Sequence, residues 1–156
     1  MSLEIEEDED EFRVIYNNKM MHFPKHLYYS EQDMWARVGG FSGVATVGLT
    51  DYPMTLLREI TSLEIKVDPE TVVSPMEEIG FIKSNKTELK LFPPVSGKII
   101  AINSKVKDEP DAVRDNYERG WLFKIHPIEL DSELRDLTIN AKYYVKVLQE
   151  RLQKEQ

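Results

Sequence analysis

The feature that most constrains the fold of this 156-residue chain is the regular spacing of its short apolar segments. Within several segments apolar and polar residues alternate, as around Leu63, Ile65 and Val67, which is the period of a half-buried β-strand. Turn residues separate the segments about every 8–12 positions, a spacing typical of a small β-sandwich or a partly closed barrel. The predicted strands lie within residues 13–16, 34–38, 44–49, 61–67, 79–82, 89–92, 98–103 and 121–125.

A hairpin turn and a short helix are predicted between these strands. The glycine-rich residues 39–43 are expected to join two strands as a hairpin. Thr50 or Asp51 is expected to cap a short helix over residues 53–60, because both side chains accept hydrogen bonds from free amides at a helix start. The buried stripe of this helix would consist of Leu56, Leu57 and Ile60.

From residue 131 the apolar period changes from that of a strand to that of a helix. Leu134 and Leu137 lie on one face of a short helix, and a longer apolar stripe follows it. We expect this stripe to pack against the sheet of the same domain, with a helix groove for a partner protein as the alternative. The stripe consists of Ala141, Tyr144, Val145, Leu148 and Leu152. The predicted fold class is therefore mainly β with short helices (β+α).

The negative charge of this chain is concentrated at its N-terminus. The chain has 28 acidic and 20 basic residues, and seven of the acids precede the first basic residue, Arg13. The remaining body is nearly neutral and a poor match for nucleic acid, because affinity for phosphates depends on a basic surface. We expect residues 1–12 to form an acidic, disordered, self-repelling tail and residues 13–156 to form a single domain.

Several classes of chemistry lack the residues that they require. The chain has no cysteine, which excludes disulfides, thiol chemistry of its own and cysteine-based zinc sites. Pro24 interrupts the segment between His22 and His26, so a helix cannot place both rings on one face, and no metal site is expected. Phosphate-binding glycine loops, nucleophile elbows and long apolar spans are also missing. We expect no catalytic residues and a cytoplasmic location.

The polar residues 83–88, flanked by two apolar segments, predict a β-hairpin over residues 79–92. Lys86 would lie at the exposed tip, and the prolines within residues 93–97 would end the strand pairing, since proline has no amide to donate. Asn85 suits the tight reversal because asparagine tolerates positive φ. On chemistry alone, a lysine at a hairpin tip is usually solvated surface.

This hairpin, with its central Lys86 and the trailing Pro94-Val-Ser-Gly97, resembles the lipoyl-attachment hairpin of the glycine cleavage system H protein family. Similar blocks occur in the same order elsewhere, and the resemblance covers about residues 27–150. It implies a lipoyl-domain-like hybrid barrel-sandwich with C-terminal helices. The other blocks are Leu27-Tyr-Tyr-Ser30 with Trp35, Val47-Gly-Leu-Thr-Asp-Tyr52 and Gly120-Trp-Leu-Phe-Lys-Ile125.

The resemblance implies that Lys86 is the lipoyl-attachment residue, with Ser84, Asn85 and Thr87 in the turn around it. Members of this family are non-catalytic carriers in which covalently bound lipoate moves an aminomethyl group between the enzymes of glycine cleavage. The implied partners are glycine decarboxylase, aminomethyltransferase, dihydrolipoamide dehydrogenase and a lipoylating enzyme. The expected carrier is a monomer that binds neither nucleic acid nor membrane.

The chain departs from the usual pattern of the family beside Lys86. Lys83 stands where the family usually has glutamate, and Thr87 stands where it has a small residue, often alanine. Asp33-Met34 also replaces a common His-Glu pair before Trp35. Three interpretations stay open: a glycine cleavage carrier, an H-like lipoate-binding carrier for heterodisulfide-reductase-like sulfur oxidation, and an unmodified scaffold or interaction protein with the same fold. A biotin carrier is disfavoured, because the methionine neighbours typical of biotinyl-lysine are missing.

Overall fold

Three antiparallel β-sheets form the body of the computed structural model, which describes residues 3–39, 43–115 and 117–154. The strands are β1 (Leu3–Glu7), β2 (Glu11–Tyr16), β3 (Lys19–Pro24), β4 (Tyr28–Tyr29), β5 (Met34–Val38), β6 (Ala45–Leu49), β7 (Ser62–Ile65), β8 (Val72–Val73), β9 (Gly80–Lys83), β10 (Glu88–Leu91), β11 (Gly97–Ile102) and β12 (Phe123–Pro127). The helices are α1 (Asp51–Leu56), α2 (Ser104–Asp108), α3 (Leu130–Leu137) and α4 (Ala141–Lys154), and Pro110–Arg114 is a 3-10 turn. The predicted fold class is confirmed.

The larger hydrophobic core joins two of these sheets. One has the strand order β4-β5-β6-β12-β11-β8, and the other, which we call the hairpin sheet, has the order β10-β9-β7. Val47 and Phe123 of the first sheet are fully buried in the same cluster as Ile82 and Leu91 of the hairpin sheet. The two sheets therefore face a shared interior, as in a sandwich.

The N-terminal segment is folded, so the prediction of a disordered tail over residues 1–12 is wrong from residue 3 onward. Strands β1, β2 and β3 form a three-stranded N-terminal sheet in which Glu6 lies opposite Arg13. Arg13 forms ion pairs with Glu6, Asp8 and Glu11 at N–O distances of 3.3, 2.6 and 3.1 Å. One guanidinium thus offsets the repulsion among three carboxylates, which is why an acidic segment can fold here.

Helix α4 packs against the N-terminal sheet, and a second hydrophobic core lies between them. The ring of Phe23 meets that of Tyr144 edge-on with centroids 5.4 Å apart, while Tyr29 stacks on Tyr144 at 4.9 Å. Burial, together with the charge of Asp33, raises the pKa of Tyr144 well above 10.0, so its hydroxyl stays protonated and donates to Asp33 at 2.7 Å. All five residues of the predicted stripe are buried within this domain, as expected: Ala141, Tyr144, Val145, Leu148 and Leu152.

The helix predicted over residues 53–60 is shorter than expected. Thr50 caps it, and it ends at Leu56 because Leu57 adopts extended backbone. Leu57 and Ile60 are buried as predicted, although Ile60 lies beyond the helix. Leu56 is 42% exposed, so its assignment to the buried stripe is wrong.

The hairpin predicted over residues 39–43 includes residues 40–42, which lie outside the described residues. The flanking strands β5 and β6 pair with each other, with Val38 opposite Ala45. Within the described ranges, no helix is both long enough and apolar enough to cross a membrane.

Asp8 is expected to titrate at unusually low pH. Its carboxylate accepts hydrogen bonds from Arg13 and from the amides of Asp10 and Glu11, which lowers the pKa of Asp8 from 3.8 to about 2. Since the folded-state pKa is the lower one, these contacts stabilise the N-terminal sheet fully above pH 3.8, and the stabilisation is lost as the pH falls toward 2. Carboxyl-carbon NMR should give a midpoint near 2, which Arg13→Gln returns toward 3.8. A normal midpoint in the unaltered protein would contradict the ion pair.

Candidate functional site

The predicted hairpin is present at the edge of the hairpin sheet. Strands β9 and β10 pair from Gly80 opposite Leu91 to Lys83 opposite Glu88, and β7 pairs with the other side of β9. Ile82 and Leu91 are fully buried in the larger core. The core therefore fixes the base of the hairpin, while its tip lies outside the sheet.

Gly80 begins β9 where β7 and β9 approach too closely for a side chain. A Cβ at this position would collide with the carbonyl oxygen of Glu64, a backbone atom that cannot move without β7. Glycine is therefore required for this pairing, which sets the position of the hairpin base.

Residues 84–87 form the tip. The Ser84 amide donates to the Thr87 carbonyl oxygen at 2.8 Å, and the Thr87 amide donates to the Ser84 hydroxyl at 3.2 Å. Ser84 thus closes the turn, while Asn85 and Lys86 are exposed between the two bonded residues. The four residues predicted for this site lie together.

The predicted role of Asn85 in the reversal is wrong. Among the described residues other than glycine, positive φ occurs at Asn17, Asn18, Asp33 and Glu70, and not at Asn85. The chain reverses without the left-handed conformation because the Ser84 hydroxyl bonds the backbone three residues on. The serine itself was the local sequence signal that could have indicated this turn.

Lys86 and Lys83 have different surroundings although they are three residues apart. The Lys83 ammonium lies 4.7 Å from the centroid of the Phe81 ring, and that of Lys66 lies 5.3 Å from the same centroid. In the described part of the chain, the Lys86 ammonium has no hydrogen bond or ion pair. Lys86 is therefore an accessible amine on a fixed support, a suitable point for forming an amide with a carboxylic acid.

A cavity of about 540 Å³, which we call the hairpin cavity, opens beside the tip. Residues 84–87 line one side of it, and Leu56, Arg58 and Glu59 line the other. Most of this lining is polar or charged, with Leu56 as the apolar exception among the described lining residues. The cavity borders Lys86 itself, so a group attached to this lysine could enter it.

Arg114 holds the wall of the hairpin cavity opposite the tip. Its guanidinium donates to the carbonyl oxygens of Leu57 at 2.9 Å and Arg58 at 2.8 Å. Sequence reasoning identified neither Arg114 nor the cavity residues Arg58 and Glu59. No local signal could have found them, because they meet the tip only through the packing of α1, the 3-10 turn and the hairpin.

Among the described residues, no group of three His, Asp or Glu side chains could hold a metal ion. His22 contacts the Glu11 carboxylate through Nδ1 at 2.7 Å, within the N-terminal sheet.

Comparison with known proteins gives a consistent result across sequence and structure. The family model described as "Glycine cleavage H-protein" matches residues 27–151. The glycine cleavage system H protein of Chromohalobacter salexigens is 35% identical over 133 residues, covering 79% of this chain and 98% of the relative. That of Listeria monocytogenes serotype 4a is 33% identical over 129 residues, covering 82% and 99%.

A solved structure is similar over the same extent. The crystal structure of a glycine cleavage system H protein from Mycobacterium marinum matches with a TM-score of 0.70 and 23% identity, covering 80% of this chain and 97% of that one. This likeness supports the lipoyl-domain-like barrel-sandwich fold. The N-terminal sheet, which ends at Pro24, precedes the segment that the family model matches.

Proposed function

Because this chain belongs to the glycine cleavage H-protein family, we propose that it is a carrier with a lipoyl group attached to Lys86. Members of the family carry lipoate. The residue assignment rests on the position of Lys86 in a hairpin within the residues that the family model matches, and it is supported by the exposed Lys86 amine, which has no partner in the described part of the chain. The residues present therefore fit the group.

The chemistry of an amide at Lys86 fits a carrier. Acylation replaces the ammonium charge with a long neutral arm, and the lipoyl group supplies a reactive disulfide that can accept an aminomethyl group. The protein contributes a fixed base for the arm, because the core holds β9 and β10. It also contributes an exposed tip, from which the arm could reach the active site of each partner. Linking the reactive group to a docked carrier raises its effective concentration at each partner.

The partners proposed for this carrier are glycine decarboxylase, aminomethyltransferase and dihydrolipoamide dehydrogenase, with a lipoylating enzyme for Lys86. A sulfur-oxidation carrier is the second candidate, and the charges beside Lys86 favour it. Arg58 and Glu59 of the cavity wall offset each other, and Lys83, which stands where the family usually has glutamate, disfavours a cationic aminomethyl cargo relative to a neutral or anionic one. Both candidates require lipoate on Lys86.

The deciding experiment is the intact mass of the protein after incubation with a lipoate ligase and lipoate, followed by peptide mapping. The expected product carries one lipoyl group, located on Lys86. Unmodified protein, beside an H protein that is modified in parallel, would contradict the carrier proposal and favour a scaffold. Transfer assays with glycine decarboxylase then separate the two carrier candidates.

Lys83→Glu is expected to raise the initial rate of lipoylation by a ligase that serves ordinary H proteins. The substitution restores the carboxylate that such ligases usually meet three residues before the attachment lysine. Exposed charge pairs contribute about 0.2–1 kcal/mol, which corresponds to a gain of up to about fivefold. Mass spectrometry of timed samples measures the rate, and Lys142→Glu on α4 is the control with the same change of charge. Equal rates for the Lys83 variant and the unaltered protein would show that Lys83 has no role in recognition.

A further inference from the structure

The six-stranded sheet, β4-β5-β6-β12-β11-β8, has an outer face that the described residues cover only in part. Side chains alternate along β5, so that Ala36 and Val38 face the larger core while Trp35 and Arg37 face outward. The N-terminal sheet and α4 cover this end of the face, because Trp35 is fully buried in the second core. Beyond Arg37 the face continues over β6, β12 and β11, where Ile100 is 37% exposed.

The register of the strands places two cations and a hydroxyl in one row on this outer face. Arg37 lies opposite Thr46, and Thr46 lies opposite Lys124. Opposite residues of paired strands share a face, and neighbouring strands are about 4.8 Å apart, so the two cations flank Thr46 at a Cα spacing of about 10 Å. A groove of about 390 Å³, which we call the sheet groove, opens at this row. It is lined by Arg37, Gly39, Val44, Thr46, Ile100 and Lys124.

Neither cation of the sheet groove has a carboxylate partner in the described part of the chain, although the chain contains 28 acidic residues. Lys98, on the same face, differs because its ammonium pairs with Glu70 at 3.1 Å. A paired cation must give up its own carboxylate before it can bind another one, whereas Arg37 and Lys124 need not. These two residues are therefore available to external anions.

Aromatic rings position both cations of the sheet groove. The Arg37 guanidinium lies 5.5 Å from the centroid of the Trp35 ring and donates to the Tyr117 carbonyl oxygen at 2.8 Å. The Lys124 ammonium lies 5.0 Å from the centroid of the Trp121 ring. Contact with a ring face leaves further N–H groups available to an anion. Because the side chains are already positioned, less side-chain entropy is lost when an anion binds.

We infer that the sheet groove binds a segment of a partner protein in which acidic and apolar residues are mixed. Carboxylates of the segment face Arg37 and Lys124, and an apolar side chain of the segment covers Ile100. A polypeptide fits better than a small anion, because apolar surface extends past the groove to Val72 of β8, which is 57% exposed. The net charge of −8 disfavours nucleic acid, which requires an extended basic surface.

A segment bound in the sheet groove leaves Lys86 accessible. Val47 and Phe123 lie in the core that the six-stranded sheet shares with the hairpin sheet, so Thr46 and Lys124, which alternate with them, point away from the hairpin sheet. The partner therefore lies on the other side of the sandwich from the hairpin. For the carrier proposed above, on which this consequence rests, such a tether raises the effective concentration of the arm at that partner.

The first test titrates the unmodified protein with the synthetic peptide acetyl-Glu-Leu-Glu-Leu-Glu-amide and follows amide NMR shifts. We expect the amides of Thr46, Ile100 and Lys124 to shift and that of Tyr143, on α4, to stay unchanged. Equal shifts from a peptide with lysine in place of each glutamate would overturn the inference, as would the absence of shifts with the acidic peptide. Tighter binding of glutarate or inorganic phosphate than of the acidic peptide would overturn the assignment to a polypeptide.

The second test measures the affinity of the acidic peptide for charge variants. Lys124→Gln is expected to weaken binding by up to about fivefold, the usual range for one exposed charge pair, and Lys124→Glu to weaken it further because repulsion replaces attraction. Lys142→Glu on α4 is the control with the same change of charge, and it should weaken binding by less than about twofold, since salt screens remote charges. Equal affinities of the Lys124→Glu and Lys142→Glu variants would overturn the inference.

Lipoylation of Lys86 separates this inference from the proposed function. With the acidic peptide at saturation, the rate of lipoylation by a lipoate ligase should be unchanged, because the groove and the hairpin tip lie on opposite sides. A reduced rate would show that the peptide covers the hairpin, and would overturn the groove as a separate site. Loss of peptide binding in Lys124→Glu, with Lys86 lipoylated normally, supports the groove. An unmodified Lys86 in the unaltered protein would overturn the carrier and leave the groove intact.

Discussion

Lys86→Arg is expected to abolish lipoylation and all carrier activity while changing the free energy of unfolding by less than about 0.5 kcal/mol. The arginine side chain keeps the positive charge and the exposure of Lys86. Its guanidinium stays protonated and has no amine lone pair for acylation. Because residue 86 is exposed and unpaired in the described part of the chain, folding does not depend on it.

Three measurements check this prediction: the intact mass after lipoate ligase treatment, transfer activity with the partner enzymes, and urea denaturation. Lys90→Arg is the control, since Lys90 is an exposed lysine on the neighbouring strand β10. The control should be lipoylated at Lys86 like the unaltered protein. Full activity in the Lys86→Arg variant would contradict the attachment site.

Phe23→Ala is expected to lower the free energy of unfolding by about 3–5 kcal/mol. Phe23 is fully buried between the N-terminal sheet and α4, where its ring meets Tyr29 at 6.4 Å and Tyr144 at 5.4 Å between centroids. Truncation removes these aromatic contacts and leaves a cavity that the stacked tyrosines cannot close.

Urea denaturation followed by tryptophan fluorescence measures this loss. Met20→Ala is the matched control, because Met20 lies on the same strand and is 51% exposed; a change below about 0.5 kcal/mol is expected there. A loss below about 1 kcal/mol for Phe23→Ala would contradict the packing of the N-terminal sheet as part of the folded body.

Local patterns predicted most of the regular structure. The hairpin around Lys86, the pairing segments β5 and β6, and the stripe from Ala141 to Leu152 all follow from periods of two or 3.6 residues, which neighbouring residues set. Where such patterns were ambiguous, the observed bounds of an element differ from the predicted ones. Helix α1 ends at Leu56 and not at residue 60, because the residue after Leu56 adopts extended backbone.

The candidate site was only partly predictable. Residues 84–87 are contiguous in the chain, so their position at one turn follows from the flanking strands. Lys86 was singled out from the other lysines only by its resemblance to a family motif, since a solvated lysine carries no local sign of modification. The opposite wall, with Arg58 and Arg114, comes from distant segments and had no signal in the sequence.

The amino-acid sequence by itself determined that this chain forms short antiparallel strands followed by two C-terminal helices, with Lys86 at a hairpin tip, because alternation and turn residues act over a few positions. Only the tertiary structure decided that the acidic N-terminus folds, since Arg13 neutralises carboxylates that strand pairing brings to it. It also decided that Leu56, Arg58 and Glu59 face residues 84–87 across the hairpin cavity, because that arrangement depends on how α1, the 3-10 turn and the hairpin pack together.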